Sequence, residues 1–202
     1  MTDSVSDDRV SRETSDRLAI FVDLLRRWND RINLVSSTTI TDLDRRHLQD
    51  SLQLMRYIKP DARHVVDLGT GGGFPGLVIA LSRPDPAMQV TLIEADRRKC
   101  AFLRTVLRET ATTATVIADR IERVEPQNAD IVTARALAPL TTLLGHVRRH
   151  AAPSFTALML KGARWSEEVA DAKKSWTFNP TIHKSVTDPK AAILEIGALT
   201  DE

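Results

Sequence analysis

Residues 67–76 read Asp-Leu-Gly-Thr-Gly-Gly-Gly-Phe-Pro-Gly and hold five of the chain's eight glycines. Glycine tolerates positive φ and has no Cβ, so such a cluster lets backbone approach a ligand closely. It follows a short apolar run, His64-Val65-Val66-Asp67-Leu68, and precedes a helical pattern. A strand-to-helix turn is where nucleotide-binding α/β sheets place their ligand. Gly71, Gly73 and Gly76 satisfy a GxGxxG spacing, a weak signal alone; counted from Gly69 the run is instead GxGxG. Glu94 closes the next strand-like run, Val90–Ile93, 25 residues after Gly69. A carboxylate there can accept both hydroxyls of an adenosyl ribose.

Other reactive residues are scattered. The five histidines show no ligand spacing with cysteine or carboxylate, so no metal site is expected. Cys100 is alone, which excludes an internal disulfide, and it reads as a small buried hydrophobe. Lys and Arg total 28 against 27 Asp and Glu, so any polyanion site must come from local segregation of charge. Basic residues do gather, at Arg26, Arg27 and Arg31, at Arg45, Arg46 and His47, and at Arg148, Arg149 and His150. A further group holds Arg97, Arg98, Lys99, Arg104 and Arg108, in which Arg97, Arg104 and Arg108 share one helical face and suit phosphate contacts. Arg135 follows a strand and reads as serving the ligand site. Lys161 and Arg164 flank the end of another strand near the same crevice.

These residues need a frame, and 202 residues suffice for one domain with an extension. The first 14 residues carry few apolar anchors and are expected to form a disordered tail. From Ser15, an N-cap candidate, Leu18, Phe21, Leu25 and Trp28 define one helical face. A second helical stretch begins near Thr41, with Leu48, Leu52 and Met55 on one side. Residues 15–60 therefore read as an N-terminal helical cap, with 61–202 as the ligand-binding domain. In that domain strands at 64–68, 90–93, about 114–118, 130–134 and 155–160 alternate with helices at 96–109, 139–150 and 165–175. Pro75 is expected in the first turn of the helix after the glycines. Alternation of this kind gives a doubly wound, mostly parallel sheet. Strand-like segments at 177–186 and 191–199 predict an antiparallel C-terminal edge. No run approaches 18 apolar residues, and the start is acidic and polar, so a cytoplasmic protein is expected, with no membrane segment.

The GxGxG register after Asp67 resembles the class I methyltransferases, Rossmann-like enzymes that use S-adenosyl-L-methionine. Further stretches resemble one family in particular, the bacterial small-subunit ribosomal RNA methyltransferase G, also called glucose-inhibited division protein B. They are Trp28-Asn29, Ile32-Asn33-Leu34, Arg46-His47-Leu48-Gln49-Asp50-Ser51-Leu52, the run 66–76, Arg98-Lys99, Phe102-Leu103, Arg120-Ile121-Glu122, Ala134-Arg135-Ala136 and Lys161-Gly162. The resemblance runs from about residue 18 to 170 and fades afterwards. Members often carry Asp where this chain has Glu94, which keeps the charge and changes its reach.

What the resemblance implies is methyl transfer to N7 of a guanine in the 530 loop of 16S rRNA, guanine 527 in the usual rRNA numbering. It also implies cofactor contacts at Gly69, Phe74, Ile121, Glu122 and Arg135, with Gly71 and Gly73 in the same turn. The partner would be 16S rRNA or a small-subunit precursor, met by a monomer. Guanine N7 carries an in-plane lone pair and no proton, so no general base is needed and none is expected. Asp50, Arg135 and Lys161 are positioning candidates, with Asp50 otherwise capping a helix or pairing with Arg45 or Arg46. Arg46, Arg97, Arg98, Arg104, Arg108, Lys161 and Arg164 are candidates for RNA contact. Two alternatives stay open on this fold, an NAD-dependent oxidoreductase and a non-catalytic RNA-binding regulator.

Overall fold

A computed structural model of the chain describes residues 11–36, 42–83 and 85–201. Helix α1 spans Arg12–Asn29 and starts earlier than Ser15 because Ser11 is the cap, its hydroxyl accepting from the Thr14 amide at 3.1 Å. The tail expected over 1–14 thus gives up its last residues to helix, and residues 1–10 lie outside the described ones. Leu18, Phe21 and Leu25 are buried on one face as their spacing predicts, and Trp28 packs against Phe102 with ring centroids 5.7 Å apart.

The expected start of the second helix near Thr41 lies outside the described residues. What is described is irregular, a π-helical stretch Asp44–Gln49, one α-turn Asp50–Leu52 (α2) and a 3-10 turn Gln53–Arg56. Changing the residues per turn twice shifts the buried face. Ser51, Gln53 and Leu54 are buried, whereas Leu52 and Met55 are only partly covered.

The sheet then follows. Strands β1 (His64–Leu68), β2 (Gln89–Ile93), β3 (Thr115–Ile117), β4 (Ala129–Arg135) and β5 (Ala151–Lys161) are parallel. They alternate with α3 (Gly76–Ser82), α4 (Arg97–Glu109) and α5 (Leu140–His150). Pro75 is not inside α3 but one position ahead of it, after a cis Phe74–Pro75 bond. Helix α6 (Trp165–Ala172) leads into β6 (Trp176–Thr177), β7 (Thr181–Lys184), β8 (Ala192–Ile196) and β9 (Thr200–Asp201). The seven-stranded order is β3-β2-β1-β4-β5-β8-β7, with β8 and β7 antiparallel. The strand expected over 177–186 is broken at Pro180 into β6 and β7, the one expected over 191–199 ends at Ile196, and β9 beyond it pairs with β6 as a separate ribbon. The chain order reverses between β1 and β4, and a crevice opens there beyond the carboxyl ends of the strands.

Alternate side chains of each strand enter two cores. Val65, Val90 and Leu92 pack with α1, α3 and α4, while Val66, Leu68 and Ile93 pack with α5 and α6. Phe21 of α1 has no exposed surface and its ring lies 5.2 Å from Phe74, inside the glycine run. The N-terminal helix therefore buttresses the turn. Phe21→Ala is expected to cost about 3–5 kcal/mol, read as a lower urea midpoint at unchanged slope.

Candidate functional site

Asp67 is fully buried near the end of β1, where it ties the turn to the sheet. Its Oδ2 accepts the Gly76 amide at 2.9 Å and its Oδ1 accepts the Thr133 hydroxyl from β4 at 2.7 Å. Burial pushes its pKa up to about 6 against these hydrogen bonds. A Cβ at Gly76 would lie 2.6 Å from Leu92, so only glycine lets α3 start this close to the carboxylate.

Between them the backbone turns through left-handed conformations at Gly69 (φ 62°), Gly71 (φ 57°) and Gly73 (φ 99°). At Gly69 an added Cβ would fall 2.5 Å from Leu137, and at Gly73 it would meet Leu77. Gly71 is different, with only the Gly69 carbonyl near the added atom, at 3.9 Å. Bare backbone here faces a pocket of about 440 Å3 rather than protein, a volume typical of small-ligand sites.

Gly69, Gly71, Phe74, Glu94, Ile121, Glu122 and Arg135 all line this pocket, while Gly73 shapes the turn from behind, against Leu77 and Leu103. Glu94 braces the turn, since Oε2 accepts the Gly71 amide and Oε1 the Asp96 amide, each at 2.8 Å. Ile121 is held by its carbonyl, which accepts from Nε2 of the fully buried His150 at 3.0 Å. Glu122 lies 3.6 Å from His146. Cys100 is buried, its thiol donating to the Glu94 carbonyl at 3.2 Å, and burial pushes its pKa up.

Arg135 ends β4 at the junction of this pocket and a larger cleft of about 930 Å3. Its guanidinium lies 5.1 Å over the Phe74 ring and donates to the Arg46 carbonyl at 3.1 Å. It also donates to His47 Nδ1 at 2.7 Å and stands 3.6 Å from Asp50 Oδ2. Asp50 therefore pairs with Arg135, whereas Arg46 faces Asp42 at 3.6 Å. His47 must accept at Nδ1, and burial first, then Arg135 and Arg46, bring its pKa down to about 4.

The cleft brings together Arg46, Asp50, Arg135, Lys161 and Arg164. Lys161 lies on its lining but is buried, with Nζ donating to Ala138 O and Glu168 Oε2 at 2.8 Å each. Arg97, Arg98, Arg104 and Arg108 line neither pocket and sit exposed on α4. Arg98 pairs with Asp96, Arg108 with Glu109, and Arg104 donates to the Val116 carbonyl. No cluster of three metal-ligating side chains occurs among the described residues, nor a helix long and apolar enough to cross a membrane.

Some of the site was not read from sequence. Ala136 lines both pockets in a left-handed conformation (φ 50°), which alanine rarely adopts and no sequence signal marks. Leu137, the reason Gly69 must be glycine, carries no signal either. His47 reads from the sequence as part of a basic group and of a family-like stretch, and nothing local marks it as the partner of Arg135.

A family model described as rRNA small subunit methyltransferase G matches residues 14–196. The chain belongs to this family. It is 48% identical over 191 residues to the ribosomal RNA small subunit methyltransferase G of Paracoccus denitrificans, covering 94% of this chain and 97% of that one. The protein of the same name from Paramagnetospirillum magneticum is 50% identical over 188 residues, covering 93% and 90%. Among solved structures, a methyltransferase from Geobacter sulfurreducens superposes with a TM-score of 0.60 at 15% identity, covering 89% of this chain and 88% of that one. An O-methyltransferase from Bacillus cereus, solved in complex with SAH, gives 0.58 at 12%, covering 96% and 94%. These two show the fold. Membership in the family sets aside the oxidoreductase alternative. The cofactor of such enzymes is S-adenosyl-L-methionine, and the smaller pocket fits it, offering open glycine backbone at Gly71 and the half-buried carboxylate of Glu94.

Two buried groups of this chain have opposing pH responses. Asp67 is raised on folding, so its contribution is fully present below its unfolded value of 3.8 and is lost as pH rises through about 6. His47 is lowered, so its contribution is present above 6.5 and is lost as pH falls through about 4. Asp67→Asn is expected to lose more stability relative to wild type at pH 4 than at pH 6.5, and His47→Gln less, in denaturant midpoints across that window. Parallel profiles for all three proteins would contradict the assignment.

Proposed function

We propose that the chain transfers a methyl group to N7 of a guanine in the 530 loop of 16S rRNA, guanine 527 in the usual numbering. The observation that carries this reading is the pair of joined pockets, one floored by bare glycine backbone and one large and open, with Arg135 and Ala136 in both. When bound, S-adenosyl-L-methionine supplies a methyl group on a positively charged sulfur. Gly69, Gly71 and Gly73 shape the backbone that would hold its amino-acid end, and Glu94 would accept its ribose hydroxyls. Ile121 and Glu122 border the same pocket and would contact the remainder.

The acceptor nitrogen has a free lone pair, so the protein needs no base to remove a proton. Its work is to hold the two reactants in line, an effect worth up to about 7–11 kcal/mol. Phe74 and Arg135, stacked at 5.1 Å, form a rigid wall between the pockets. Alkylation at N7 leaves the guanine cationic. The cleft suits that product, since six carboxylates (Asp42, Asp50, Glu167, Glu168, Asp171 and Asp188) line it against Arg46, Arg135, Lys161 and Arg164. Of these, Asp50 and Arg135 stand nearest the donor pocket and are the positioning residues, with Lys161 fixing the wall through Glu168.

N7 lies on the major-groove edge, which A-form RNA keeps in a deep narrow groove, so the substrate is a loop base that can turn outward. An acid-rich cleft accepts a base and not a phosphate. Phosphates would instead meet exposed arginines, Arg97, Arg104 and Arg108 with Arg98 beside them away from the cleft, and Arg46 and Arg164 where its lining reaches the surface. In this reading the chain acts as a monomer on a ribosomal substrate in the cytoplasm.

Borohydride and aniline treatment cuts RNA at N7-methylguanine. One cut in the 530 loop is expected in 16S rRNA from wild-type cells, absent after deletion of the gene and restored by its return. A cut that survives deletion would overturn the proposal, and RNA binding without any lost methyl would favour the non-catalytic regulator.

A further inference from the structure

The loop 185–191, which joins β7 to β8, does more than finish the sheet. Its own backbone already closes the turn, the Ser185 amide donating to Ala191 O at 3.3 Å and the Ala191 amide to Asp188 O at 3.0 Å. Yet the loop is also gripped from the helical cap. The Val186 amide donates to Gln53 Oε1 at 3.0 Å, and Gln53 is buried, its Nε2 donating in turn to Asp50 Oδ1 at 2.8 Å. The Thr187 hydroxyl donates to the same Asp50 Oδ1 at 2.9 Å. Behind these contacts Tyr57 stacks on His183 of β7 at 4.1 Å.

Apolar packing does not explain the grip, because Val186 in the middle of the loop is 62% exposed. Directed polar bonds fix the loop, and they lead somewhere. Asp50 Oδ2 stands 3.6 Å from Arg135, and Arg135 lies over Phe74 in the glycine turn. One chain of contacts thus runs from Thr187 through Asp50 and Arg135 to the floor of the donor pocket. At its far end Ser185, Thr187, Asp188, Pro189 and Ala191 line the 930 Å3 cleft.

We propose that loop 185–191 is the acceptor-side wall of the methyl-transfer site, and that Thr187 is a positioning residue which, through Asp50 and Arg135, sets where the RNA base rests relative to the donor. The proposal rests on the functional reading above and gives a role to a C-terminal segment that the family model covers, although the motifs legible in the sequence stop near residue 170. Thr187 touches neither reactant in this scheme; it acts by holding Asp50, whose other oxygen faces Arg135.

Thr187→Val keeps the branched shape and removes the donated hydrogen bond. The full-length variant is compared with wild type for S-adenosyl-L-methionine affinity by calorimetry, for melting temperature, and for kcat and KM on small ribosomal subunits from cells lacking the gene. We expect kcat/KM for the subunits to fall about tenfold, the size of a lost hydrogen bond to a charged group. Cofactor affinity should stay within about twofold in the same hydrogen-bond arithmetic, and Thr187→Ser should restore turnover. Unchanged kcat/KM in Thr187→Val overturns the proposal. So does a fall in cofactor affinity or melting temperature that accounts for the lost turnover, or a serine variant as impaired as the valine one. Wild-type protein that methylates no small-subunit RNA overturns the functional reading itself, and that control separates the two failures.

Discussion

Asp67 has no water to turn to, and its two oxygens are satisfied by the Gly76 amide on one side and the Thr133 hydroxyl on the other. An unpaired buried carboxylate is costly enough that this arrangement must form as a unit. It fixes the distance between β1 and the start of α3, and the glycine turn has to close within that span. Three residues in left-handed conformations then follow as a geometric consequence, and the backbone at Gly71 is left facing open space. The donor pocket is what remains when the turn is held by its ends.

The second constraint is Arg135. A guanidinium at the end of a central strand would be expensive to bury alone, and here four neighbours share it, namely Phe74, His47, Asp50 and the Arg46 carbonyl. Three of these come from the irregular helical segment 44–56 and one from the glycine turn. Cap and sheet therefore meet at a polar junction placed between the two pockets. His47 stays neutral well below its usual range because it is buried and, second, because another positive charge beside Arg135 is disfavoured. The neutral ring packs against Phe74 at 5.0 Å and keeps the wall closed.

The sequence was informative wherever a residue type answers to one physical need. Glycine at 69, 71 and 73 announced positive φ, alternation of strands and helices announced the parallel sheet, and Leu18, Phe21 and Leu25 announced the face of α1. It was less informative where the answer depends on a distant partner. Asp50 reads locally as a cap or a partner for Arg45 or Arg46, but besides Gln53 its partners are Arg135 and Thr187, both far along the chain toward the C-terminus. Lys161 reads as an available cation beside a crevice, and only the fold brings Glu168 and the Ala138 carbonyl to its ammonium. The segment 44–56 reads as one helix by periodicity, yet its turns are wound unevenly, which sends Gln53 inward toward the loop 185–191. Serine at position 11 caps α1 although Ser15 offers the same chemistry, and the turn this adds carries the buried Thr14, which bonds back to the Ser11 hydroxyl.

The central claim is that exposed backbone at Gly71 is where the methyl donor is held. Calorimetric titration of S-adenosyl-L-methionine into Gly71→Val measures it directly. A side chain there has room within the protein but would project into the pocket, and a left-handed valine costs on the order of 1–3 kcal/mol. Binding lost in a variant that still unfolds cooperatively is the expected result. A folded Gly71→Val protein that binds the cofactor as wild type does would contradict it.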